Sequence, residues 1–128
     1  MKYLVDTHLL IWSVANSGRM PETARTILED VANECIFSAA SIWEIALKHI
    51  KHPNDIPLGA EDARLLFLAA GYVEIPVSAK HSSFVEQLPR IHLDPFDRML
   101  VAQAQLEGMQ LLTHDHLLPP YGPFVVQV

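Results

Sequence analysis

The segment Lys2-Tyr3-Leu4-Val5-Asp6-Thr7-His8 decides how the rest of the chain is read. Tyr3, Leu4 and Val5 form an apolar run too short for a helix and rich in β-formers, which predicts a buried strand. Asp6 ends that run. Directly after it, Leu9, Leu10, Ile11, Trp12, Val14 and Ala15 predict a buried helix. A carboxylate therefore stands at the tip of a strand, at the mouth of a strand-to-helix turn. In open α/β sheets that edge is where ligands bind.

Working outward, strands and helices alternate. Asn16 to Pro21 reads as a loop, with Pro21 suited to the first turn of a second helix running to about Asn33 and carrying Ala24, Ile27, Leu28 and Val31 on one face. Cys35 to Ser38 reads as a strand and Ala39 to His49 as a helix. The stretch His52 to Pro57 is a loop with two prolines. Ala60 to Ala70 is a helix stopped by Gly71. Val73 to Ile75 is a strand, and Ser78 caps a helix through about Leu88. Pro89 to Leu93 is a loop. Asp94 and Pro95 are well suited to the N-cap and first position of a helix that Gly108 ends. Gln110 to Thr113 is a strand, Pro119 to Pro123 a rigid turn, and Phe124 to Val128 a last strand. This order calls for a mostly parallel sheet with helices on both faces, in one domain over residues 1–128.

Composition bounds the function. Of 128 residues, 50% are hydrophobic and 19% charged, a globular composition whose slight apolar excess suits surface hidden in a dimer. The net charge of −6 argues against a general nucleic-acid coat, which neutralises phosphates with basic residues. It leaves room for an enzyme whose acidic site takes a divalent cation. The single cysteine, Cys35, is expected to be a buried thiol, which fits a reducing compartment. With no leader-like start and no apolar run near membrane-spanning length, a cytoplasmic protein is expected.

Four acids fall at strand ends or in helix openings: Asp6, Glu44, Asp97 and Asp115. Each has an ordinary structural explanation. Asp6 can cap the first helix. Ser41-Ile42-Trp43-Glu44 matches a capping box. Asp97 follows Asp94 in a first turn, where the helix dipole favours an acid. Asp115 can close an Asx turn. Capping, however, needs one group per helix, and Ser or Thr would serve. Four acids on one edge repel: two unit charges about 4 Å apart cost roughly 4 kcal/mol near a protein surface. Hard oxygen ligands with no cysteine nearby point to Mg²⁺ or Mn²⁺ rather than zinc. Such a cation typically sits with phosphates, where it activates water for an in-line displacement.

The histidines His8, His114 and His116 flank two of these acids, but no zinc-type spacing appears, and a surface or supporting role is expected. Trp12 and Trp43 are expected in the core or at a dimer contact. Arg98 and Lys48 are placed to touch phosphate, and Lys48 equally to pair with Glu44. Thr7 and Ser38 are placed to hydrogen-bond a ligand carboxylate, and Asp94 to act as the cap close behind the ligands.

Together, Tyr3-Leu4-Val5-Asp6-Thr7-His8, Ser41-Ile42-Trp43-Glu44-Ile45-Ala46, Asp94 to Ala104 and Leu111-Leu112-Thr113-His114-Asp115 resemble the PIN-domain ribonucleases, and among them the VapC-type toxins of bacterial toxin–antitoxin pairs. The third segment is the most specific. The resemblance implies a three-layer α/β/α sandwich, Mg²⁺- or Mn²⁺-dependent endonucleolytic cleavage of RNA, a homodimer, and inhibition by a small cognate antitoxin. It also implies that Asp6, Glu44, Asp97 and Asp115 are the acids of the metal site. Two rival readings are weaker. A receiver-type phosphoacceptor domain would want a lysine at a late strand end, and Lys2, Lys48, Lys51 and Lys80 do not supply one. A catalytically silent PIN-like interaction domain would have no need of the full acid set.

Overall fold

The structure, a computed structural model, describes residues 1–56 and 58–128. Pro57, the second proline of the loop expected after the third helix, lies outside the described residues. In chain order the elements are β1 (Lys2–Val5), α1 (Thr7–Val14), α2 (Glu22–Glu29), β2 (Glu34–Ser38), α3 (Ala39–Lys51), α4 (Ala60–Ala69), β3 (Val73–Ile75), α5 (Ala79–Phe84), α6 (Pro95–Glu107), β4 (Gln110–Thr113) and β5 (Val125–Gln127), with 3₁₀ turns at Val85–Gln87 and Pro119–Tyr121.

The five strands form one sheet in the order β3-β2-β1-β4-β5. Every pairing is parallel. Alternation along the strands sorts the apolar residues onto two faces. Val5, Cys35, Phe37 and Leu112 pack with Leu9, Leu10, Ala24, Ala63 and Phe67, from α1, α2 and α4. Leu4, Ile36 and Leu111 pack with Leu100, Val101 and Ala104 of α6 on the other face. The expected α/β/α sandwich follows from that sorting.

The helix ends show what positions the acids. Asp94 caps α6, accepting from the amides of Phe96 at 2.8 Å and Asp97 at 3.1 Å, with Pro95 at the first position. Gly108 closes α6 with a left-handed φ of 67°. Ser38 caps α3 by accepting from the Ala40 amide at 3.0 Å. The helix thus starts before Ser41, and Ser41 and Glu44 make no capping box. Glu44 lies beyond the first turn of α3, out of reach of the capped amides.

Two ends differ from the sequence reading. α2 stops at Glu29 rather than near Asn33. Asp30 turns extended and accepts from the Ala32 amide at 2.9 Å, and the Asn33 amide group donates to the Ile27 carbonyl at 3.0 Å. Local side-chain bonds thus outcompete another helical turn, and Val31 stands in solvent. The helix expected through Leu88 ends at Phe84 and tightens into the Val85–Gln87 turn. No helix among the described residues is long and apolar enough to cross a membrane.

Candidate active site

In a parallel sheet all strand C-termini share one edge, and here that edge opens into a cleft of about 340 Å³. Asp6, Glu44, Asp94, Asp97 and Asp115 line it, with Thr7, His8, Trp12, Arg19, Lys48 and His114. All four acids singled out from the sequence therefore line one cleft.

Asp6 follows β1 and caps α1. Its Oδ1 accepts from the Leu9 amide at 2.9 Å. Its Oδ2 accepts from the Thr113 hydroxyl at 2.6 Å and the His114 amide at 3.0 Å. The end of β4 thus fixes the acid at the end of β1. Glu44 is 4% exposed. One of its oxygens accepts from the Thr7 hydroxyl at 2.7 Å, and the other pairs with the Lys48 ammonium. Asp115 closes an Asx turn, its Oδ1 accepting from the Leu117 amide at 2.8 Å, while its Oδ2 lies 2.9 Å from His92 Nε2. The ordinary structural roles of Asp6 and Asp115 are therefore real, and each occupies only part of the carboxylate.

Asp97 is different. Among the described residues its carboxylate has one polar contact, His92 Nε2 at 3.3 Å. Burial, then the charges of Asp94 and Glu44, push its pKa from 3.8 to about 7; His92 pulls the other way and Asp115 adds a further push. Asp115 ends up below its ordinary value. Burial raises it, but the hydrogen bonds from Leu117 and His92 and the neighbouring imidazoles of His92 and His116 outweigh that.

The donor set fits a hard divalent cation: carboxylate oxygens line one cleft, and one of them, Asp97, has its pKa raised to about 7 by burial and by the neighbouring acids. One atom each of His92, Asp97 and Asp115 lie within 4.8 Å of one another.

The PIN-domain family pattern matches residues 3–119, a span that takes in all four acids. The chain belongs to the PIN-domain family. No curated relative matches it. Solved structures share the fold across nearly the whole PIN domain. The VapBC2 complex of Rickettsia felis, bound to a DNA fragment from its promoter, superposes with a TM-score of 0.72 at 18% identity, covering 100% of this chain and 98% of that one. A toxin–antitoxin complex from Klebsiella pneumoniae gives 0.69 at 23% identity, covering 98% and 96%. FitAcB from Neisseria gonorrhoeae gives 0.54 at 16%, covering 88% and 87%.

The supporting residues divide. Thr7 touches Glu44, as expected of a group behind a ligand. Ser38 is wholly buried, and its described bond is the α3 cap, not a carboxylate. Asp94 is the α6 cap and also lines the cleft. Arg98 does not face the cleft. Its guanidinium donates to the carbonyls of Val85, Leu88, Pro89 and His92 and to the Tyr121 hydroxyl, at 2.9 to 3.3 Å. Five acceptors around one guanidinium make it a clasp on the loop before α6 rather than part of the cleft wall.

Two functional groups escaped the sequence reading. Arg19, in the loop after α1, lines the cleft. His92, in the loop clasped by Arg98, touches two of the acids. The one signal for His92 was its place two residues before the Asp94 cap. Trp43 is not in the core: it is 62% exposed, and its ring meets Phe96 edge-on at 5.1 Å. Trp12 packs partly on the core and stands between His8 and His114.

Proposed function

We propose that this PIN domain is a Mg²⁺- or Mn²⁺-dependent endoribonuclease, the toxin of a toxin–antitoxin pair, acting in the cytoplasm. The observation that carries the reading is the convergence of Asp6, Glu44, Asp97 and Asp115 on one cleft, with Asp97 raised to about 7. A fold holds such acids together at a cost unless a cation offsets them.

Asp6, Glu44 and Asp97 would hold the ion, with Asp115 completing the acidic wall. When bound, the ion supplies the charge that activates water and offsets the negative charge developing on phosphorus. The chain's own groups do the rest. Thr7 and Lys48 fix the two Glu44 oxygens. Thr113 and the His114 amide fix Asp6. Arg19 and Lys48 bring positive charge to the cleft wall, so an RNA backbone finds local partners on a chain whose net charge is −6.

Two of the structures that share the fold are described as VapBC2 bound to promoter DNA and as a toxin–antitoxin complex. That supports a small cognate antitoxin as partner. Trp43, Leu47 and Ile50 are exposed at helical spacing along α3. Beside them an apolar groove of about 440 Å³ is lined by Ala40, Trp43, Val77, Val85, Phe96 and Met99. Exposed apolar side chains beside an apolar groove support a homodimer through α3 and α6.

The test is cleavage of a mixed RNA pool. Cutting should need Mg²⁺ or Mn²⁺ and stop with EDTA. Undiminished cutting after exhaustive chelation rejects the metal mechanism, and ion binding without any RNA cleavage rejects the nuclease reading.

A further inference from the structure

We propose that His92 is a positioning residue of the metal centre. Its Nε2–H holds Asp115 beside Asp97, in the place a second cation would take, so that the centre accepts one divalent ion. The proposal rests on reading the cleft as a metal-dependent site.

Both ring nitrogens of His92 are committed. The Asp94 amide donates to Nδ1 at 3.1 Å. Nδ1 is therefore the accepting nitrogen, and Nε2 is the one that presents a proton to the acids. Nε2 lies 2.9 Å from Asp115 Oδ2 and 3.3 Å from Asp97 Oδ2. Ligation of a metal through Nε2 would require that proton on Nδ1, facing the Asp94 N–H donor to donor. Asp94 cannot readily turn its amide away, because it is the N-cap of α6 and Pro95 follows it.

The ring is also held from behind. The His92 amide donates to the Tyr121 hydroxyl at 2.9 Å, and Arg98 donates to the His92 carbonyl at 3.3 Å. The clasp formed by Arg98 on this loop thus has a purpose in the site: it aims an N–H at two carboxylates.

The spacing matches the task. One atom each of His92, Asp97 and Asp115 lie within 4.8 Å of one another. These three residues are the ones a second ion would need as its ligands. A fixed N–H dipole there offsets the repulsion between Asp97 and Asp115 without an ion. Asp115 Oδ1 accepts from the Leu117 amide, and its Oδ2 faces His92. Asp97, with only the longer contact, is left to face the ion, and Asp115 acts through His92.

Ring-nitrogen NMR of the ¹⁵N-labelled full chain tests the tautomer, and electron paramagnetic resonance of free Mn²⁺ counts ions. Nε2 should be protonated and Nδ1 bare, both without ions and at saturating Mg²⁺, and the chain should bind one Mn²⁺. His92→Gln, which offers an amide N–H in its place, should keep one ion. His92→Ala should bind two. Transfer of the proton to Nδ1 on adding Mg²⁺, two ions in the parent chain, or one or none in a folded His92→Ala chain each overturns the proposal. If His92→Ala does not fold, the parent's tautomer and ion count still decide. A parent chain that binds no Mn²⁺ overturns the metal reading of the cleft itself, a result distinct from the others.

Discussion

The hydroxyl of Thr7 donates to the Glu44 carboxylate at 2.7 Å, across 37 positions of sequence. The first residue of α1 thereby orients an acid on α3, and Ser41 Oγ backs the same hydroxyl at 2.9 Å. A buried carboxylate without such partners is costly. Thr7→Val keeps the shape and removes the donor. It should cost about 1–3 kcal/mol in urea unfolding, and it should reduce the rise in melting temperature caused by Mg²⁺. Thr7→Ser should behave as the parent. Equal behaviour of the Val variant in both measurements would show that this bond does not support the site.

Arg98 organises the loop from Val85 to His92 through five acceptors, a geometry that depends on the planar fork of a guanidinium. Arg98→Lys keeps the charge and loses the fork. We expect about 1–2 kcal/mol of destabilisation, the range for losing hydrogen bonds in a half-buried network. Hydrogen exchange should speed up at the amides of residues 85–92 while the amides of β1 stay protected. Unchanged exchange in that loop would mean the clasp is not what holds it.

What could be read in the sequence was local. β1 and β4 show as short β-forming runs bounded by polar groups. Asp6 and Asp115 stand at element ends because each also makes a cap or turn that sequence rules describe, and Asp97 stands in the first turn of a helix whose start Asp94 and Pro95 announce. Glu44 could be found by position but not by role. The Ser41–Glu44 spacing suggested a capping box, and only the competition for the cap, won by Ser38, shows that Glu44 is free to serve the cleft. His92 was out of reach of any periodicity. Its place depends on Arg98, six residues on, and on Tyr121, which arrives from the far side of β4. The end of α2 was missed for a similar reason: Asp30 and Asn33 bond to the backbone instead of extending the helix.

The exposed face of Trp43, Leu47 and Ile50 gives the dimer reading a direct test. Trp43→Glu places a charge at the rim of the apolar groove and should turn a dimer into a monomer in sedimentation at tens of micromolar, a range of about ordinary weak dimers. The thermal stability of the monomer should change little, since Trp43 is 62% exposed within one chain. A parent chain that sediments as a monomer at that concentration would remove the homodimer from the proposed function.

Asp97 makes stability depend on pH in a definite direction. Its carboxyl holds a proton more tightly in the folded chain, at about 7 against 3.8. That binding adds stability in full below about pH 4, and the contribution is lost as pH rises through about 7. In EDTA, the melting temperature of the parent minus that of Asp97→Asn should therefore fall across this window. Mg²⁺ competes with the same proton. The gap in melting temperature between Mg²⁺ and EDTA should widen as pH approaches about 7 and then level off. A gap independent of pH would show that the ion does not bind the Asp97 carboxylate.

The most decisive variant is Asp97→Asn itself. Asn is nearly isosteric with Asp, and the cap of α6 belongs to Asp94, so the helix start should survive. What is lost is one charge among Asp94, Glu44 and Asp115, and a hard oxygen ligand. If Asp97 served only the helix dipole, the change would cost well under roughly 1 kcal/mol and leave RNA cleavage intact. As a metal ligand among repelling carboxylates it should show two effects at once. In EDTA above about pH 7 the variant should be at least as stable as the parent, because repulsion has been relieved. In Mg²⁺ it should lose most of its cleavage and most of the rise in melting temperature. Asp94→Asn is the control: it keeps a good cap, and it should retain the Mg²⁺-induced rise that Asp97→Asn loses. A folded Asp97→Asn chain that still cuts RNA and is still stabilised by Mg²⁺ would remove Asp97 from the site, and with it the claim that these four acids act as one.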